Sequence, residues 1–76
     1  MKFFIRHETG QERFLTNIQA ALRRDGFPFS GYKYHGETYL EVNVPIRRED
    51  EFMELVKPYN SGGIKVYNSR YVWKEN

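Results

Sequence analysis

The chain has 76 residues, 39% hydrophobic and 29% charged, which excludes a disordered polymer and sets the expectation of one small domain over residues 1–76. A formal net charge of +2 allows a nucleic-acid partner without demanding one. With no cysteine, disulfides and thiolate metal sites are excluded, which fits a reducing, cytoplasmic setting.

Lys2 to Arg6 alternates as a first strand, with Phe3 and Ile5 on one face and Lys2, Phe4 and Arg6 on the other. The apolar run after Lys2 is three residues long, far too short for a signal peptide or a membrane span. His7 to Gly10 reads as a turn, with Thr9 as the cap of a helix over Gln11 to Arg24. Phe14, Leu15, Ile18, Ala21 and Leu22 form its apolar stripe, Arg23 and Arg24 suit its C-terminal dipole, and Gly26 stops it.

Phe29 to Tyr34 and Thr38 to Val44 read as a hairpin. The link His35-Gly36-Glu37-Thr38 puts Gly at the first central position, as a type II′ turn requires. That register sets Tyr34 opposite Tyr39, Tyr32 opposite Glu41, Gly31 opposite Val42 and Phe29 opposite Val44. Leu40, Val42 and Val44 then share the core face, and Tyr32, Tyr34, Tyr39 and Glu41 share the other. Lys33 lands on the core side near the turn.

Arg48 to Lys57 is a second helix, with Phe52, Leu55, Val56 and Tyr59 on its stripe and Glu49, Asp50 and Glu51 in its first turn. Asn60-Ser61-Gly62-Gly63 leads out of it, and Ile64 to Tyr67 is the last clear strand. Continuing that strand would drive Asn68 and Arg70 into the core, so a turn or bulge is expected at Asn68-Ser69. A short extra strand could follow, with Tyr71 opposite Val66 and Trp73 opposite Ile64.

The order is β-α-β-β-α-β, which predicts an α+β, ferredoxin-like domain: a four-stranded antiparallel sheet with two helices on one face. A sheet of different strand order is the alternative. Six Phe, six Tyr and one Trp are more than so short a chain is expected to bury, and the surplus is assigned to the helix-free face. Phe4, Tyr32, Tyr34 and Tyr39 are the expected anchors there, joined by Tyr67, with Arg6 and Lys65 as polar rim. Strand residues Lys2, Arg6, Lys33, Lys65, Arg70 and Lys74 outnumber Glu37 and Glu41, so this side is expected to be basic.

Aromatics interleaved with cations suit single-stranded nucleic acid. The stretch His35-Gly36-Glu37-Thr38-Tyr39-Leu40-Glu41-Val42 is similar to the third-strand motif of RNA recognition motifs at Gly36, Tyr39 and Leu40, with Phe4 standing for the first-strand aromatic. It departs where Glu37 replaces an aromatic and Thr38 a small residue, and Glu37 and Glu41 would repel phosphate. The resemblance covers eight residues and the element order.

Catalytic signatures are missing from the sequence. His7 and His35 are two distant turn residues, too few for a metal. The Gly62-Gly63 loop follows a helix instead of preceding one, so it does not aim amides at phosphate. Acylphosphatases share the fold, but Arg6-His7-Glu8-Thr9-Gly10 lacks their glycine-rich loop. The expectation is a non-enzyme without cofactor that docks on a larger protein as a modulator or inhibitor, a role that a chain this short starting at its own Met would suit. Single-stranded nucleic-acid binding and self-association through the same face, giving a homodimer, are the alternatives, and no membrane contact is expected.

Overall fold

The computed structural model describes residues 1–68. Strands β1 (Lys2–His7), β2 (Phe29–Tyr34), β3 (Glu37–Asn43) and β4 (Ile64–Asn68) form one antiparallel sheet in the order β2-β3-β1-β4. Helices α1 (Thr16–Arg24) and α2 (Glu49–Asn60) follow β1 and β3. This is the ferredoxin-like arrangement that the element order predicts. The expected extra strand and the pairings of Tyr71 and Trp73 fall outside the described residues.

Alternation decides which side chains meet the helices. Phe3 and Ile5 of β1, Leu40 and Val42 of β3 and Ile64 of β4 share one face. Leu15, Ile18 and Leu22 with Phe52 and Val56 close over them, so both helices cover this face. Phe3 and Phe27 pack on Phe52 with ring centroids 4.7 and 5.7 Å away.

Both helices begin with a 3₁₀ turn, at Glu12–Leu15 and Ile46–Arg48. The first turn displaces Phe14 from the expected stripe. A helix of three residues per turn points it elsewhere, and it is left 44% exposed, stacked on His7 at 4.4 Å. Thr9 does not cap the helix. Its hydroxyl meets His7 Nδ1 at 2.9 Å and accepts the Gln11 N–H at 3.4 Å. Helix α2 runs a turn further than expected, through Pro58, with Tyr59 half-buried against the core.

Arg48 joins the two helices. Its guanidinium lies 4.0 Å from the Phe27 ring centroid and donates to the Asp25 carbonyl at 2.7 Å and to Glu51 at 2.8 and 3.0 Å. The hydrogen bond from Arg48 is the main reason the Glu51 carboxyl titrates below its ordinary value. A carboxyl whose pKa is lowered by folding adds stability above its unfolded pKa and loses it as pH falls through the folded one. Glu51→Gln should therefore remove a small, acid-sensitive part of the stability. Urea titrations should show the variant weaker than wild type at neutral pH and equal to it near pH 2. An equal gap at both pH values would refute this linkage.

The hairpin register differs from the expected one. Tyr34 pairs with Glu37, Tyr32 with Tyr39, Gly31 with Leu40 and Phe29 with Val42. His35 and Gly36 are the two central residues, at φ 52° and 79°, which is the type I′ signature. Histidine tolerates the left-handed region better than most side chains, and Gly36 has no Cβ to clash. Each β2 partner moves by two positions, an even step, so every side chain keeps its predicted face. Lys33 does lie on the helix side, where its Nζ donates to Thr38 Oγ1 at 2.6 Å.

Candidate functional site

The helix-free face gathers all seven residues singled out from the sequence. Phe4 on β1 lies between Glu41 of β3 and Tyr67 of β4, and Glu41 pairs with Ser30 of β2. One step along, Tyr32 opposes Tyr39 and Arg6 opposes Lys65. Alternation sets Tyr34 on the same side as Tyr32.

These aromatics form a second core and not a row of exposed rings. Phe4 is fully buried and Tyr39 is 8% exposed. Tyr32, Tyr34 and Tyr67 pack around them, half-buried. The Phe4 ring centroid lies 5.3 Å from Tyr32 and 6.5 Å from Tyr39, the latter edge-on. Tyr39 meets Tyr34 edge-on at 6.1 Å and Tyr67 at 6.4 Å. Offset and edge-on contacts let flat rings cover one another on a surface that neither α1 nor α2 covers. The expectation of Phe4 and Tyr39 as exposed anchors is therefore corrected: they are the pedestal, and Tyr32, Tyr34 and Tyr67 offer the accessible ring surface.

Two of the cations expected to make this side basic are held in ion pairs. Arg6 Nη2 reaches both Glu37 carboxylate oxygens at 2.9 Å and donates to the Glu8 carbonyl at 3.1 Å. Lys2 Nζ lies 3.4 Å from Glu41. Burial works against the Arg6 charge, but the neighbouring Tyr67 side chain and the Glu37 carboxylate outweigh it and raise its pKa above the ordinary guanidinium value. The guanidinium carbon also sits 6.0 Å from the Tyr39 ring centroid. Arg6 Nε is buried with no hydrogen-bond acceptor among the described residues. Lys65 is exposed and opposite Arg6, with no carboxylate in ion-pair contact among the described residues. Arg70 and Lys74 lie outside them. A hollow of about 260 Å³ at the hairpin end is lined by Tyr34, His35, Glu37 and Tyr39.

His7 is not the solvated turn residue expected. It ends β1 on the core side, 9% exposed. Its Nδ1 accepts the Thr9 N–H at 3.2 Å, so the ring proton sits on Nε2 and is donated to the Gly62 carbonyl at 3.1 Å. No three metal-binding side chains converge among the described residues, and none of their helices is long and apolar enough to cross a membrane. No protein-family model matches the chain, and no curated protein matches its sequence.

Proposed function

We propose that this chain is a non-enzymatic, cytoplasmic docking module that sets its helix-free aromatic face on an uncharged, apolar patch of a larger protein, acting as a modulator or inhibitor. The observation that carries the reading is the pairing of Arg6 with Glu37 and of Lys2 with Glu41. Cations already neutralised within the sheet release few counterions from a nucleic acid, so the electrostatic gain that drives strand binding is small. What the face offers a partner is tyrosine ring area around a rigid, buried Phe4, the kind of surface enriched in protein interfaces. Tyr34 at the hairpin end and Tyr67 beside Arg6 are the contact residues, with Lys65 at the rim.

The test begins with crosslinking of wild type and Tyr34→Ala in the native cell extract, followed by reconstitution of the wild-type-specific pair from purified proteins. Binding should change little between low and moderate salt. Tyr34→Ala should weaken it by roughly tenfold or more while leaving the thermal midpoint within a few degrees of wild type. Labelled single-stranded RNA and DNA serve as the opposing arm. Tight binding there that collapses with salt and is lost in Lys65→Ser would replace the protein-docking reading with a nucleic-acid one.

A further inference from the structure

The outer edge of β2 carries an inference that rests on its backbone and not on the docking of the aromatic face. Strand β2 ends the sheet, and among the described residues no strand pairs with its far side. The I′ turn fixes which backbone groups point outward. Tyr34 and Glu37 close a two-residue hairpin and exchange hydrogen bonds, so Tyr32 and Ser30 also face β3 and the groups of Phe29, Gly31 and Lys33 face away. The Thr38 N–H confirms this phase. It turns from its opposite residue Lys33 and donates to the Gly10 carbonyl at 3.4 Å. Edge strands are often blunted by a projecting lysine. Lys33 does not serve that purpose, because its ammonium is folded back onto Thr38 at 2.6 Å.

We propose that a second copy of this chain pairs with this edge, β2 against β2, antiparallel and centred on Gly31. In this register Gly31 opposes Gly31, and Phe29 opposes Lys33 twice. All the outward groups of the three residues are then used, in about six hydrogen bonds. Gly31 suits the two-fold centre because no side chains collide there. The Lys33 stem lies over the half-buried Phe29 ring of the other copy. On the opposite face Tyr32 meets Ser30 and Tyr34 meets Pro28. Those two partners line a shallow hollow of about 140 Å³ with Phe29, Glu41 and Asn43, open to receive the incoming tyrosines. The product is one continuous eight-stranded sheet with all four helices on one side.

The experiment is sedimentation equilibrium of the full chain from micromolar to millimolar concentration, with amide hydrogen exchange at both ends of that range. Wild type should dimerise. Phe29, Gly31 and Lys33 amides should gain protection with concentration, while Ser30, Tyr32 and Tyr34 stay protected throughout. Gly31→Glu places two like charges face to face at the two-fold and should raise the dimer Kd by roughly tenfold or more. A Cβ at Gly31 meets nothing within 4 Å, so the variant monomer should keep its far-UV spectrum and thermal midpoint. A wild type monomeric at every concentration overturns the proposal, as does protection at Phe29, Gly31 and Lys33 that ignores concentration, which would mean the edge is covered within one copy. A dimer that survives Gly31→Glu but is lost in Tyr34→Ala would place self-association on the aromatic face instead.

Discussion

Phe4→Ala should leave this protein largely unfolded at room temperature. Truncating a buried Phe costs about 3–5 kcal/mol, from lost transfer energy plus the cavity left behind. A core of this size supplies only about 3–5 kcal/mol in total. Phe4 has no exposed surface, packs on Tyr32 and Tyr39 and lies opposite Tyr67 on β4, so its removal leaves the face without its centre. Those rings are fixed to three different strands and cannot all close the gap. Tyr39→Ala should be nearly as damaging, since Tyr39 is 8% exposed and contacts Tyr32, Tyr34 and Tyr67 as well as Phe4. Phe4→Leu should stay folded, because a swap that keeps most of the volume costs under about 1.5 kcal/mol. Far-UV circular dichroism and urea unfolding of the three variants settle the point. A Phe4→Ala protein that melts within a few degrees of wild type would show that the helix-free aromatics are not a core.

This result runs against what the composition implies, and the reason is physical. Counting aromatics against the interior of a small chain treats burial as something that happens only under helices. Here five aromatic side chains from four strands shield one another on the side that neither α1 nor α2 covers. Sequence alternation placed Phe4, Tyr32, Tyr34, Tyr39 and Tyr67 on that side correctly, because period two survives any even error in pairing. It could not show their packing, which depends on ring orientation and strand offset. The hairpin illustrates both halves of this. Whether His35-Gly36 or Gly36-Glu37 forms the turn is a contest between two permitted loops, decided by which residue accepts a positive φ.

The same alternation had more to give at the end of β1. His7 shares its parity with Phe3 and Ile5, so extending the strand by one residue would have predicted a buried histidine. The usual association of histidine with turns masked that signal. The ion pairs were beyond reach for a different reason. Lys2, Arg6, Glu37 and Glu41 are visible in the sequence as charges, but pairing Arg6 with a residue 31 positions away needs the order and register of the sheet. Counting six strand cations against Glu37 and Glu41 gives the excess of charge, but not that these two carboxylates sit beside Lys2 and Arg6.

Gly63→Ala should be the most damaging small substitution outside the two cores. Gly63 has φ +90°, where an L side chain is strained by about 1–2 kcal/mol. A Cβ there would also fall 2.7 Å from His7 Nε2 and 3.2 Å from Glu8 Cδ. The histidine cannot simply yield, since one face lies on Phe14 at 4.4 Å and both nitrogens are held, by the Thr9 backbone and the Gly62 carbonyl. Moving the loop instead would break the Glu8 N–H bond to the Gly63 carbonyl at 2.8 Å, which seats the start of β4 on the end of β1. Strain and overpacking together should cost about 2–5 kcal/mol. Gly62→Ala is the control one residue away. Its Cβ would meet only the Tyr59 carbonyl oxygen, at an ordinary 3.5 Å, and φ is not positive, so the change should be neutral or stabilise by up to about 1 kcal/mol. A double-mutant cycle assigns the cause. If the His7 ring is the obstacle, Gly63→Ala should cost less in a His7→Ala background than in wild type, with a coupling of about 1 kcal/mol or more in urea unfolding. Strict additivity would leave backbone strain as the whole effect and remove His7 from the account.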